Sequence, residues 1–168
     1  ISADLLANGH IVGLFPEAAL QYDRSIGTFQ KGFARIAFMY EESVNFEKDL
    51  QIVPISNYYD NFSSVGHSVV NVSGKPFTFS EFYDLYKEHP EAAYRQLALK
   101  SMENTEPLML NMCDRENFEQ LDYLRGINYN NLRKTGKCGK KAIDRMNADK
   151  RLVAKMKAFK ESNPERFE

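Results

Sequence analysis

Ile11 to Phe15 is a continuous apolar run with two β-branched residues, a pattern that predicts a buried strand rather than a helix. Pro16 ends it, because proline cannot donate to a sheet ladder. Residues 17 to 30 are polar and read as a loop. From Lys31 to about Phe46, Phe33, Ile36, Ala37, Tyr40 and Val44 recur at three- and four-residue spacing, one face of an amphipathic helix, with Arg35 and Glu41-Glu42 off it. Gln51 to Tyr58 predicts a second strand and Ser68 to Ser73 a third. The polar stretch Asp60–Ser64 lies between them, and Gly74-Lys75-Pro76 turns the chain away. Ahead of these elements, Ser2 to Asn8 reads as a helix end closed by Gly9. The order strand, helix, strand predicts a right-handed parallel crossover and an α/β sandwich: a partial mixed sheet flanked by helices.

The rest of the chain reads as helical. Ser80 is placed to cap a helix reaching Glu88, and Pro90 suits the first position of the next. That helix carries Ala93 and Leu97, and Leu108, Met109 and Met112 follow after a break at Pro107. Asp114 starts another helix, with Phe118, Leu121 and Leu124 on one side and Gly126 closing it. Asn128 to Gly139 reads as a polar linker. A last helix, about Lys141 to Glu161, sets Ile143, Met146, Val153, Met156 and Phe159 in a narrow stripe among lysines. The methionines read as packing residues. No internal repeat is present.

Composition narrows the possibilities. With 168 residues and 43% hydrophobic content the chain can bury a core, which excludes a disordered chain. Cys113 and Cys138 lie far apart and read as free thiols, and no Cys/His cluster points to zinc. No apolar run approaches the ~20 residues of a membrane-spanning helix, and no secretory signal is seen, so the chain reads as cytoplasmic and soluble or membrane-peripheral. It opens on Ile1 with a helix end feeding straight into a buried run, so more protein is expected ahead of it. The net charge of −1 hides an asymmetry: residues from 131 onward hold 12 Lys/Arg against 5 Asp/Glu, and the first 130 hold 10 against 18. An acidic body with a basic tail concerns partners rather than fold. The tail reads as a solvated helix or as a segment lying on anionic lipid. Nucleic acid is not expected, since no stacking aromatics interleave with the lysines.

Candidate chemistry gathers around Glu17, a carboxylate at the end of the first run, with Arg24 and Lys31 along the following loop. Such a set suits a polar, anionic substrate. The block Phe15-Pro16-Glu17, then Lys31-Gly32-Phe33-Ala34-Arg35-Ile36-Ala37-Phe38, then Val53-Pro54-Ile55 and Gly74-Lys75-Pro76 resembles the later motifs of the 1-acylglycerol-3-phosphate and glycerol-3-phosphate acyltransferases. The resemblance covers about residues 1–113 and leaves 114–168 as a basic helical extension. It implies the C-terminal part of an acyltransferase α/β domain. The intact enzyme would move a fatty acyl group from acyl-CoA or acyl-carrier protein to a lysophospholipid or glycerol phosphate. It would work at the cytoplasmic side of a membrane, as a peripheral or anchored protein, without metal or bound cofactor. Glu17, Arg24 and Lys31 would hold the acceptor, and Phe15, Pro16, Ala18 and Pro54 would shape the site.

Ala18 stands where that family carries glycine, and its Cβ resists positive φ. The family's His-x-x-x-x-Asp block, which supplies the general base, is absent: His10, His67 and His89 have Phe15, Val72 and Tyr94 five residues on. All three read as turn histidines, no catalytic residue is assigned, and the chain by itself is expected to be inactive. The alternative from another class is a non-catalytic module that binds lipid surfaces or other partners.

Overall fold

A computed structural model of the chain describes residues 1–17, 24–61, 68–112, 117–163 and 165. Among these the protein is mixed α/β and mostly helical. Its elements are α1 (Ser2–Ala7), α2 (Gly32–Ser43), β1 (Ile55–Tyr59), β2 (Val69–Ser73), α3 (Tyr83–Glu88), α4 (Pro90–Thr105), α5 (Phe118–Lys134) and α6 (Ala142–Ser162). Short 3₁₀ turns at Ser80–Phe82 and Glu106–Leu108 precede α3 and follow α4.

The strands pair with each other in a two-stranded antiparallel sheet. Gly74 N–H donates to the Pro54 carbonyl at one end and Asp60 N–H to the Ser68 carbonyl at the other, and an antiparallel bridge joins Ile52 to Phe77. Burial alternates along β1, with Ser56 and Tyr58 inward, as expected of a strand with one wet face. Among the described residues the expected parallel crossover and larger mixed sheet do not form. The link from Tyr59 to Val69 is shorter than the dozen or more residues a parallel connection needs. Ile11–Phe15 is not a strand either: no ladder partner runs beside it among the described residues, and Ile11 is 97% and Phe15 87% exposed.

The segments Ile1–Leu20, Gly27–Ile55 and Ser73–Leu108 form one compact unit, and Gln21–Ile26, Ser56–Val72 and Met109–Glu168 form a second. The basic extension expected from residue 114 lies in the second unit, with three segments from the 1–113 part.

The first unit is built on α2, α3 and α4. Ala34, Ala37 and Phe38 of α2 pack with Phe79, Tyr83, Ala93 and Leu97. The alanines let the helix approach closely, and Phe38 fills the centre, stacked on Tyr86 at 4.5 Å and edge-on to Phe79 at 5.0 Å. Truncating a phenylalanine so placed costs about 3–5 kcal/mol. The buried face of α2 is turned about one position from the expected one, which brings Glu41 inside. Its Oε1 accepts the Leu50 N–H at 2.6 Å, bracing a reversal in which Asn45 and Phe46 take φ of 54° and 57°. Pro90 does open α4, and the helix gives way before Pro107 as expected. Ser80 does not cap a helix with its side chain; it begins the 3₁₀ turn instead.

The second unit is an αα-hairpin of α5 and α6 whose core joins Tyr58, Leu110, Met112, Leu121 and Met146, with Val70, Val72, Val153 and Met156 against them. Gly126 does not end α5, which runs on through the expected linker to Lys134. The helical spacing Leu121–Arg125 continues to Tyr129 and Leu132, and Gly136, at φ 69°, supplies the left-handed stop. The Asp114 start lies outside the described residues.

Candidate functional site

Within the first unit the Phe15-Pro16-Glu17 motif forms the base of a closed loop. The Gln30 N–H donates to the Pro16 carbonyl at 2.7 Å, and the Gly27 N–H donates to Glu17 Oε2 at 3.0 Å. Glu17 is thus turned back onto its own loop and fastens Gly27–Gln30 to the chain just after Phe15. That closure sets Glu17 and Lys31 on either side of one junction, from which α2 departs. Lys31 caps α2, and its Nζ lies 2.5 Å from Glu91 Oε2; Arg35 Nη2, one turn on, lies 2.7 Å from Glu91 Oε1. Hydrogen bonds from Lys31 and then Arg35 hold the Glu91 carboxyl below the usual carboxylate range. Arg35 also lies over the Tyr94 ring at 5.5 Å. Two cations held by a single exposed carboxylate can exchange it for another anion at small cost, because exposed ion pairs are weak. Glu42, two full turns along α2 from Arg35, is too far along the axis to pair with it and accepts from the Tyr86 hydroxyl instead.

The Val53-Pro54-Ile55 and Gly74-Lys75-Pro76 motifs meet in the same unit. Gly74 N–H bonds Pro54 O at 2.8 Å. A Cβ on Gly74 would stand 2.8 Å from Pro54 Cγ and 2.9 Å from Leu108 Cδ1. The glycine is therefore required by close approach rather than by φ, and Pro54 is buried where the strand begins.

Arg24 belongs to the second unit. It adopts φ of 50° and is buried, with Nη1 donating to the Tyr59 carbonyl at 2.6 Å and Nε to Asp122 Oδ1 at 3.2 Å. Its own carbonyl accepts from Met112 N–H. Arg125, 3% exposed, joins the network: Nη1 donates to Asp149 Oδ2 at 2.6 Å and Nη2 to Asp122 Oδ1 at 2.8 Å. The Tyr58 hydroxyl donates to the same Asp149 oxygen at 2.6 Å. Burial and then the nearby Arg125 charge pull Arg24 down from its ordinary value. For Arg125 burial also acts downward, but Asp149 and Asp122 outweigh it and hold the group up. Burial and the bond to Asp149 push the Tyr58 phenol up.

Beside this network opens a cleft of about 760 Å³ whose lining includes Arg24, Arg125 and Arg145 together with Asp60 and Asp122. With Asp149 behind, three guanidinium groups face three carboxylates. The charges cancel, and the network reads as a structural clasp rather than as a receptor for an anion.

Of the residues expected to hold the acceptor, Glu17 and Lys31 therefore share one loop closure, while Arg24 is engaged with Asp122 and Tyr59. Phe15 is exposed beside Glu17, Pro16 carries the closing carbonyl and Pro54 the Gly74 contact. Ala18 lies outside the described residues, as do His67 and Cys113. Sequence reading missed Glu91, which carries no local signal because its partners lie roughly sixty positions away. It also missed Asp149. Here a signal existed: a lone carboxylate sits at the helical spacing of Met146 and Val153, inside the apolar stripe. Among the described residues no group of His, Cys, Asp and Glu could hold a metal ion, and no helix is long and apolar enough to cross a membrane. Compared with protein-family models, curated proteins and solved structures, the chain matches none of them.

Proposed function

We propose that this chain is the acceptor-binding half of an acyltransferase. The intact enzyme transfers a fatty acyl group from acyl-CoA or acyl-carrier protein to a hydroxyl of a lysophospholipid or glycerol phosphate, at the cytoplasmic side of a membrane. The observation that carries the reading is the Glu17–Gly27 bond together with the Pro16–Gln30 closure. It makes the Phe-Pro-Glu motif the built base of a loop. The docking of the Val-Pro-Ile strand on Gly74 gives the other two motifs a shared structural reason.

In this reading Lys31 and Arg35 let go of Glu91 and take the acceptor phosphate, a planar, bidentate contact in the case of arginine. Glu17 holds the loop that frames the acceptor. The acceptor hydroxyl oxygen attacks the thioester carbon, the C–S bond breaks, and the thiol leaves with a proton. The hydroxyl proton goes to the histidine of a His-x-x-x-x-Asp block supplied from outside these residues, which passes it to the leaving thiolate. A general base is worth roughly 10²–10⁴ in rate, so the chain alone is inactive. Arg24 serves as a clasp for the second unit instead of a phosphate ligand.

The test has two parts. Glycerol 3-phosphate and lysophosphatidate are titrated into the 168-residue chain and followed by amide NMR, with Lys31→Gln and Arg35→Gln as variants. Shifts at Gly27–Arg35 that both variants weaken support the reading, and an undisturbed loop sinks it. Acyl transfer is then measured in the protein from which the chain derives. There Glu17→Ala raises the acceptor KM, and an unchanged KM removes Glu17 from the site.

A further inference from the structure

The turn joining α5 to α6 reads Arg133-Lys134-Thr135-Gly136-Lys137-Cys138-Gly139-Lys140-Lys141. Five cations stand in nine residues with no carboxylate among them, and all five are exposed. None has a carboxylate partner among the described residues. The nearest acid, Asp144, instead accepts the Lys141 backbone N–H at 3.1 Å. Arg133 and Lys134 sit at the C-terminal end of α5, where the helix dipole favours positive charge and a purely structural role suffices. Lys140 and Lys141 precede the N-terminus of α6, where the dipole repels them. Lys140 and Lys141 thus stand where helix electrostatics opposes positive charge.

One face of α5 leads directly to this turn. Tyr123, Ile127, Asn130 and Lys134 follow one another at helical spacing along it, with Leu124 beside them. Tyr123 is 72% exposed and Leu124 and Ile127 are also outward. An outward aromatic and two aliphatic side chains running into a cluster of free cations match the two halves of an anionic lipid surface: apolar groups for the acyl boundary, cations for the phosphates.

We propose that this α5 face and the basic turn form a docking surface for an anionic phospholipid bilayer. The inference deepens the membrane part of the functional reading and is independent of acyl transfer, so a catalytically silent protein would retain it. Nucleic acid would engage the cations too, but it gives no reason for Leu124 and Ile127 to face outward.

The chain contains no tryptophan, so Tyr123→Trp provides a single fluorescent reporter in the full 168-residue protein. The probes are vesicles of phosphatidylcholine alone and vesicles of equimolar phosphatidylcholine and phosphatidylglycerol. The expected result is a blue shift and co-sedimentation with the second kind only, weakened by salt as the Debye length shrinks. Lys134→Gln, Lys137→Gln and Lys140→Gln together lower the partition coefficient about 125-fold, at roughly a fivefold loss per cation. Leu124→Ser with Ile127→Ser lowers what binding survives in high salt. These side chains are exposed, and circular dichroism checks that each variant keeps its helices. Equal binding to both vesicles, or full binding by the triple variant, overturns the proposal. Retention on duplex DNA without any shift of the Trp reporter on vesicles overturns it in favour of nucleic acid.

Discussion

Replacing Asp149 by alanine removes the acceptor shared by Arg125 and the Tyr58 hydroxyl. Asp149 is fully buried, and both donors lie 2.6 Å from its Oδ2. Arg125 keeps two bonds to Asp122 Oδ1, at 3.0 and 2.8 Å, so its charge is only half-abandoned. The Tyr58 hydroxyl is left with Arg125 Nη1, itself a donor. Breaking a buried pair by removing one partner costs about 3–5 kcal/mol, and an orphaned buried hydroxyl about 1–3 kcal/mol. The surviving Asp122 bonds offset part of this, which leaves about 3–5 kcal/mol in all. That is a large share of a domain's usual stability of about 5–15 kcal/mol.

The contrasting variant removes the whole set: Tyr58→Phe, Arg125→Met and Asp149→Leu together. An apolar replacement of similar volume is expected to be neutral or stabilising by about 1–4 kcal/mol. The assay is urea denaturation followed by circular dichroism, with amide exchange in α5 and α6 to locate the loss, because the chain has two compact units. An Asp149→Ala cost below about 1 kcal/mol would refute the reasoning, since that is the scale of a surface ion pair. A triple variant as unstable as the single one would refute the claim that the orphaned charge is what matters.

Glu41 is buried; its Oε2 and the neighbouring Tyr83 hydroxyl lack a hydrogen bond of ordinary geometry. Burial raises its folded pKa above 4.5, so the folded state holds this proton more tightly than the unfolded one. Its contribution to stability is therefore present at acid pH and lost as pH rises through the folded pKa. Glu41→Gln keeps an acceptor for Leu50 and is expected to stabilise at neutral pH by about 1 kcal/mol, with a flatter stability-versus-pH curve by urea titration. A Cβ on Gly126 meets nothing within 4 Å, so Gly126→Ala raises stability by about 0.5–1 kcal/mol, read as a small rise in melting temperature. Gly74→Ala forces Cβ against Pro54 and Leu108 and is expected to cost about 1–3 kcal/mol, read as a lower urea midpoint for the first unit.

The elements with strong local periodicity were legible. Phe33 to Val44 foretold α2, Ser68 to Ser73 foretold β2, Pro90 marked the start of α4, and the stripe from Ile143 to Phe159 marked α6. The failures have physical causes. Ile11–Phe15 has strand composition, yet a strand exists only where another backbone completes its ladder. Gly126 looked like a stop because glycine is a poor helix former, but its cost of about 1 kcal/mol is outweighed by Leu121 and Arg125 on one side and the continuing turns on the other. Of the candidate site, only the nearness of Glu17 and Lys31 along one loop was legible; the turn of Glu17 onto Gly27, the pairing with Glu91 and the buried partners of Arg24 were not.

What the sequence determined by itself was the existence of the helices with strong periodicity, α2, α4 and α6, since period and caps are local properties of neighbouring residues. It also determined where positive charge accumulates, because five cations in nine residues remain together in any fold. Only the tertiary structure decided that β1 and β2 pair antiparallel, that Glu41 and Asp149 turn inward, and that Arg24 faces Asp122 while Lys31 and Arg35 share Glu91. Those outcomes depend on residues tens of positions apart meeting in space, and no local pattern encodes which distant side chain will complete a charge or a ladder.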